Sequence, residues 1–486
     1  MAATRTPAPV FARLGGLDRT HFRFANFRSD WLILGHGKVV AVSPFLTSSL
    51  RLCISASLRF NQRMKRSALS QLGRRTGEPP ISWLMKMSLD RPQLISLAAG
   101  FTDNESLPVR DARELLDSVL GTPKTGRPAL QYGSTPGDAT LRRLTAEHLA
   151  ALDGVSAKNS AAHTADRTLI THGSQQLLYM TTEALCDPGD IVLVENPTYF
   201  VYLGIMQSHA LRARGVKLAN DGLDLAHLET VLESLKRSGE LPRVKILYLV
   251  TYHQNPTGIT TSHAKKLGAL ELLRRYEKFA GHPIYLVEDA AYRELRFAGD
   301  DVKSALATKF SERVIYAGTY SKPFATGARV GFGLLPEPVL TAVRRIKGNH
   351  DFGTANLLQQ LLARALGGPR YATHLGELRA RYARKAAVMV QAIREHFPAN
   401  IAWDEPRGGL YVWARLPKKI KSGAKSKLFQ AALAHDVLYV PGELCYAADP
   451  TRAKPNHEMR LSFGGATLAD ITRGIERLGA VLTEMS

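Results

Sequence analysis

The sequence predicts an α/β fold, with a mostly parallel sheet sandwiched by helices in a large domain and a smaller α+β domain behind it. Three observations predict it. Five short apolar runs, "RTLIT", "DIVLV", "VKILYLV", "PIYLVE" and "RVIYAG", are rich in Val, Ile, Leu and Tyr, and each ends in a polar or glycine turn. Stretches with apolar residues at helical spacing, such as "TLRRLTAEHLAAL", separate most of them. After about Gly367 this alternation gives way to one long helical stretch and a few strand-like runs. Continuous apolar strands alternating with helices are what a parallel sheet buried on both faces requires.

The elements follow in chain order. Residues 1–63 are rich in Arg and Ser, poor in acid and without sustained period; a basic, disordered extension is expected there. That composition suits a transit peptide or a disordered basic arm, and translation starting at Met64 is a third reading. Residues 64–109 form an N-terminal segment expected to pack with the small domain, with "SALSQLGRR" as a short helix and "PQLISLAAGF" as a strand running into a glycine turn. Residues 110–366 are the large domain. Residues 367–486 are the small one, opening on the long helix "THLGELRARYARKAAVMVQAIREHF" and continuing through "GGLYVWARLP", "VLYVPGELC" and "EMRLSFGG".

Composition narrows the function classes. Of the 486 residues 45% are hydrophobic and 22% charged, as in ordinary globular proteins. No run reaches the roughly 18 unbroken apolar residues of a spanning helix, since "WLILGHGKVVAVSPFL" is interrupted by His36 and Lys38. The three cysteines, Cys53, Cys186 and Cys445, are far apart and fit a reducing compartment better than a disulfide framework or a zinc site. No metal-ligand cluster is visible. The net charge of +21 is concentrated, with +11 in the first 76 residues and +10 over the remaining 410. A cytoplasmic protein without nucleic-acid or membrane partners is expected, mitochondrial if residues 1–63 act as a transit peptide.

In an open α/β sheet, functional residues lie on loops beyond the carboxyl ends of the strands. "RTLIT" leads into "HGSQQLL", where a small turn opens a helix, so that backbone N–H groups and the Ser174 hydroxyl can face an anion. "DIVLV" leads into "ENPTYF", with Tyr199 at the rim. "VKILYLV" leads into "TYHQNPTG", with Asn255 before a turn. "PIYLVE" is followed by Asp289 and Tyr292, and "RVIYAG" by "TYSKPFATGARVGFG", with Lys322 and Arg329 seven positions apart. Singly each is an ordinary turn or cap; together, at successive strand ends, they form a set.

In that order, "GSQQ", "NPTG", D-x-x-Y and S-K-x6-R-x-G make residues 64–486 resemble a fold-type I pyridoxal-phosphate enzyme of the class I/II aminotransferase family, near the branch with the 2-aminoadipate, kynurenine and broad aromatic aminotransferases. The resemblance implies pyridoxal 5'-phosphate as cofactor, held as a Schiff base by Lys322, whose freed amine then moves a proton. It implies a phosphate grip from Ser174, the Gln175 backbone, Thr319, Ser321 and Arg329. It implies Asp289 beside the pyridine nitrogen, Asn255 and Tyr292 on the ring's phenolic oxygen, and Tyr199 stacked on the ring. Arg460, in "EMRLSF", matches the arginine that binds the substrate's α-carboxylate, with Gly100 and Asn255 on the same side. Tyr132, in "ALQYGSTPG", matches a tyrosine that reaches the phosphate of the neighbouring subunit, which implies a homodimer with shared sites.

The reaction implied is a ping-pong transfer of an amino group from an amino acid to a 2-oxo acid, commonly 2-oxoglutarate. A β-lyase or decarboxylase on the same scaffold uses the same Lys and Asp, and the motifs barely separate it. A transcription regulator with an aminotransferase-like domain needs a folded DNA-binding head, for which residues 1–63 lack helical periodicity. Donor specificity is not legible in the motifs.

Overall fold

The computed structural model describes residues 31–34, 38–41 and 68–485. Among the first 69 residues, a unit of their own, strands β1 (Trp31–Leu34) and β2 (Lys38–Ala41) pair antiparallel. The extension expected over residues 1–63 otherwise lies outside the described residues. The second unit begins at Ser70.

Its centre is an eight-stranded sheet made of β4 (Thr168–Thr171), β5 (Ile191–Asn196), β6 (Arg212–Ala219), β7 (Gly222–Leu223), β8 (Val244–Val250), β9 (Tyr285–Asp289), β10 (Val314–Thr319) and β11 (Gly331–Leu334). The spatial order is β4-β11-β10-β9-β8-β5-β6-β7. Strands β10, β9, β8, β5 and β6 run parallel, while β11 lies antiparallel between β4 and β10. Successive residues of β8 enter opposite cores. Ile246, Tyr248 and Val250 join the apolar cluster on one face; Val244, Leu247 and Leu249 join the one on the other. Both faces are therefore dry, and each buried Leu or Ile contributes roughly 1.5–3 kcal/mol.

Register positions the site. Val250, Asp289 and Ala317 share one row across β8, β9 and β10. Two residues beyond Ala317, Thr319 is level with Gly331 of β11, which is level with Thr171 of β4. The turn after β10 therefore meets the turn that starts the helix Gly173–Leu185.

A second sheet, all antiparallel, has the order β12 (Ala402–Trp403), β13 (Tyr411–Arg415), β16 (Glu458–Ser462), β15 (Val440–Pro441). Arg460 stands in its interior, paired with Trp413 and Val440. From the N-terminal segment, β3 (Ile95–Ser96) pairs parallel with β14 (Val437–Leu438). The helix expected over "SALSQLGRR" is the short Gln71–Arg75, and the strand expected over "PQLISLAAGF" is only two residues long. Gly100 and Phe101 lie beyond it, without regular structure. Among the described residues no helix is long and apolar enough to cross a membrane.

A buried ion cluster holds the segment after Gly100. Lys385, on the helix Pro369–His396, donates to Asp103 Oδ1 (2.9 Å) and to the carbonyls of Gly464 (3.0 Å) and Ala466 (2.7 Å). Arg381 of the same helix pairs with Asp103 Oδ2. Removing Lys385 leaves Asp103 with Arg381 alone and takes the donor from the Gly464 and Ala466 carbonyls, and each buried group left unmet costs about 1–3 kcal/mol. Lys385→Met, close to isosteric, is expected to destabilise the protein by about 3 kcal/mol, read as a lower denaturant midpoint with an unchanged slope; a change within 0.5 kcal/mol contradicts the assignment.

Candidate active site

The loops at the carboxyl ends of β4, β5, β8, β9 and β10 converge with Gly100 and Arg460 on one cavity of about 460 Å³. Its lining includes Ser174, Gln175, Tyr199, Asn255, Asp289, Tyr292, Thr319, Ser321, Lys322, Arg329, Gly100 and Arg460. Of the residues singled out in the sequence, Tyr132 alone is elsewhere. It is 85% exposed and packs edge-on against Phe352, itself exposed, with ring centroids 5.6 Å apart.

One end of the cavity is built to meet an anion. The helix Gly173–Leu185 begins at Gly173, whose φ of +70° suits glycine, and its first turn carries free backbone N–H groups. A side chain at Gly173 would come within 2.7 Å of Arg329 Nη2. Gly331 lets β11 approach this helix start, since a Cβ there would lie 2.4 Å from the Gly173 carbonyl carbon and the Ser174 nitrogen. Arg329, held in the left-handed region at φ +51°, donates through Nη1 to Ser321 Oγ and to the Thr326 carbonyl, each at 3.2 Å. The Thr319 hydroxyl accepts from Ser321 N (3.1 Å) and donates to the Val330 carbonyl (3.4 Å), so it also braces the turn.

The floor is a buried carboxylate. Asp289 accepts from Tyr248 Oη at 2.8 Å and from Ala291 N at 3.2 Å. Burial pushes its pKa up to about 6, although both hydrogen bonds favour the charged form. Among the described residues it has no ion-pair partner within 4.0 Å. A buried carboxylate with neutral donors only is suited to a cationic N–H from a ligand.

Lys322 lines the same cavity, half-buried. Its Nζ donates to the Gly100 carbonyl at 2.8 Å. Burial, together with the positive charges of Arg329 and Arg460, lowers its pKa to about 8. On the side of the second sheet, Arg460 is 1% exposed. It donates through Nη1 to Asn255 Oδ1 (2.7 Å) and through Nη2 to the Ala98 carbonyl (2.5 Å), while its Nε–H is buried without an acceptor. An unpaired N–H on a buried guanidinium is costly.

Two site residues escaped the sequence reading. Tyr411, on β13, brings its hydroxyl to 2.9 Å from Tyr292 Oη and 3.5 Å from Asn255 Nδ2, and its ring lies 4.3 Å from the Arg460 guanidinium. Gly100 is glycine partly for its sake, because a Cβ there would sit 2.5 Å from the Tyr411 hydroxyl. Tyr248 carries the hydrogen bond to Asp289 and stacks on Tyr202 at 3.8 Å. Tyr248 lies inside β8 and Tyr411 begins β13, and in an apolar strand a tyrosine reads as core. The "GGLYVW" run opening a strand of the second sheet was the only available signal for Tyr411. The described residues contain no group of three or more His, Cys, Asp or Glu side chains arranged to hold a metal ion.

The model of the family "aminotransferase class I and II" matches residues 92–478. The aromatic-amino-acid aminotransferase 1 of Thermococcus litoralis is 31% identical over 413 residues, covering 85% of this chain and 93% of its own. The crystal structure of the Pyrococcus horikoshii kynurenine aminotransferase, in complex with PMP, superposes with a TM-score of 0.78 at 31% identity, over 86% of this chain and 97% of that one. The α-aminoadipate aminotransferase of Thermus thermophilus, complexed with N-(5'-phosphopyridoxyl)-L-leucine, gives 0.73 at 30% identity, over 86% and 98%.

An amine attacks a carbonyl only when neutral, and the neutral fraction of Lys322 reaches one half at about pH 8 and levels more than a pH unit higher. Modification of the cofactor-free protein at Lys322 by formaldehyde and a reductant, quantified by peptide mass spectrometry, is expected to be half-maximal at about pH 8 and to level above it. Exposed lysines continue to gain reactivity towards their ordinary pKa of about 10.4. A Lys322 profile that tracks theirs contradicts the assigned environment.

Proposed function

Because the chain belongs to the class I and II aminotransferase family, we propose that this cavity is its catalytic centre and that each side chain in it has a separable task. The protein is a pyridoxal-phosphate-dependent aminotransferase, of the fold-type I class. The residues present fit the cofactor: an anion cradle at one end, a buried carboxylate without a cation on the floor, and an amine of lowered pKa between them.

When bound, pyridoxal phosphate supplies an aldehyde that condenses with amines and a ring that draws electrons from the substrate's α-carbon. Lys322 Nζ provides the protein's amine for that aldehyde and, once displaced, carries the proton taken from the α-carbon. The first-turn N–H groups at Ser174 and Gln175, with the hydroxyls of Thr319 and Ser321 and the Arg329 guanidinium, hold the phosphate. Asp289 keeps the ring nitrogen protonated, and Tyr248 keeps Asp289 oriented. Asn255 and Tyr292 would donate to the cofactor's phenolic oxygen, and Tyr199 would cover its ring. Arg460 binds the α-carboxylate with N–H groups that neither Asn255 nor Ala98 uses, and Gly100 closes the same side.

Tyr132, exposed in one chain, is assigned to the phosphate of a second copy, which makes the working form a homodimer. The helix starting at Pro369 opens the small domain of this reading, and the N-terminal segment assigned to residues 64–109 is grouped with it; the pairing of β3 with β14 supports that grouping. The acceptor in the second half-reaction is a 2-oxo acid, with 2-oxoglutarate as the expected one. The free thiols of Cys186 and Cys445 support a reducing compartment such as the cytoplasm.

The observation that carries the reading is the junction of Lys322, cation-free Asp289 and Arg460 in one cavity. Holoenzyme given an amino donor without acceptor is expected to convert stoichiometrically to the amine form of the cofactor, seen by absorbance, and to release one equivalent of 2-oxo acid. Continuous release of ammonia without an acceptor identifies eliminating chemistry instead. Asp289→Asn is expected to slow the conversion by about 10²–10³-fold while the cofactor stays bound; an unchanged rate removes Asp289 from the mechanism.

A further inference from the structure

The cavity opens where the large sheet divides. From the boundary between β8 and β5, strands β5, β6 and β7 run to one edge, and β8, β9 and β10 run towards the other. Such a switch point leaves a crevice beyond the carboxyl ends of the strands. The pairing shows the parting. β5 and β8 are in register only as far as Val194 and Tyr248, whereas β5 follows β6 to Asn196 and β8 follows β9 to Val250. A buried backbone N–H still needs an acceptor. A side chain supplies it here, since Val250 N donates to Glu195 Oε2 at 2.9 Å.

The same oxygen accepts from Gln254 Nε2 at 2.8 Å, and Gln254 ties together two loops at the crevice. Its Nε2 also donates to the Pro197 carbonyl (3.0 Å), two residues before Tyr199. Its Oε1 accepts from the backbone N (3.1 Å) and Oγ1 (2.6 Å) of Thr257, two residues after Asn255. The Thr257 N–H can only donate and the Pro197 carbonyl can only accept, so the amide has one orientation. Asn255, next in the chain, meets Arg460 through Oδ1 (2.7 Å) and Tyr292 Oη through Nδ2 (3.4 Å). Both donors to Glu195 are neutral. Burial pushes its pKa up to about 8, and the charge on Asp289 acts in the same direction. At neutral pH the carboxyl is therefore uncharged, with Oε1, buried and without a partner, left for the proton.

We infer that Glu195 is a positioning residue of the enzyme: its carboxyl, set between the parting ends of β5 and β8, fixes Gln254, and Gln254 fixes the loops that carry Tyr199 and Asn255. The inference rests on the assignment of Asn255 to the cofactor's phenolic oxygen and of Tyr199 to its ring. Neither Glu195 nor Gln254 lines the cavity. They are 0% and 1% exposed inside this chain, so a second copy takes no part in the contact. Alanine at 195 removes the acceptor of two buried N–H groups and frees Gln254 to turn. Glutamine keeps an oxygen for both, with its NH2 in the place of the carboxyl O–H.

The test compares wild-type holoenzyme with Glu195→Ala, Gln254→Ala and Glu195→Gln, and with Asn255→Ala as the reference. The readout is the pH at which the absorbance of the lysine-bound cofactor changes. A donor on the phenolic oxygen draws electrons from the C=N nitrogen conjugated with it, so displacing that donor raises this pH. Glu195→Ala and Gln254→Ala are expected to raise it by about one unit, the size of one hydrogen bond to a charged group, in the same direction as Asn255→Ala. Glu195→Gln is expected to stay within about 0.3 unit of the wild type. Alanine variants that load, melt at a lower temperature and still titrate with the wild type make Glu195 a packing residue and overturn the inference. A Glu195→Gln variant displaced as far as Glu195→Ala overturns it too. Where Glu195→Ala does not load, Gln254→Ala decides by the same reading. An Asn255→Ala variant that titrates with the wild type overturns the assignment of Asn255 beneath, and the inference falls with it.

Discussion

A carboxylate taken out of water is costly unless a cation or several donors meet it, and the site is arranged around one that lacks its cation. Asp289 ends the central strand of the sheet, receives a tyrosine hydroxyl and one backbone N–H, and is left with its pKa pushed up to about 6. That unfavourable burial is tolerated because β8, β9 and β10 are packed on both faces and cannot relax around it. A ligand that brings a ring N–H to Asp289 relieves the penalty, so the protein's own desolvation becomes affinity for a protonated heterocycle. The same burial lowers Lys322 into the range where a neutral amine is available. One dry sheet edge thus prepares both the electron-withdrawing partner and the nucleophile.

The antiparallel strand β11 sets the distance between the two ends of the cavity. A wholly parallel sheet would follow β10 with a helix. Here the chain turns back at Arg329 instead, and glycine at 331 lets the returning strand press against the start of the helix Gly173–Leu185. Arg329, Ser321 and the N–H groups of that helix are brought together by this close approach, although about 150 residues separate them along the chain. The helix dipole and the guanidinium then act on the same anion. At the opposite end, Tyr411 joins Arg460 of the second sheet to Asn255 and Tyr292 of the first through hydroxyl and ring contacts, so the groups that face substrate and cofactor are mechanically linked.

Much of this was legible in the sequence, for a definite reason. Strands buried on both faces are almost uniformly apolar, so β4, β5, β8, β9 and β10 stand out, and in an α/β sheet the loops after such strands carry the chemistry. The strands that escaped notice break that rule. In β6, "RARGVKLA" is too polar to read as buried, and in β11 the glycines read as a loop. Tyr248 and Tyr411 were hidden because nothing local separates a core tyrosine from one whose hydroxyl works. The inward face of the helix Pro80–Asp90 was hidden for a related reason. Ile81 and Met85 have the spacing of any amphipathic helix, and only the fold reveals that they also line a cavity. Tyr132 is the opposite case, since its assignment came from the family resemblance, and a single chain leaves it in solvent.

The central claim is that one lysine of the 486 residues carries the cofactor. Reduction of the holoenzyme with borohydride, followed by proteolysis and mass spectrometry, tests it directly. The account predicts a phosphopyridoxyl group on the peptide containing Lys322, one per chain. The same group on a different lysine, or a protein that shows no such adduct after loading with pyridoxal phosphate, contradicts it.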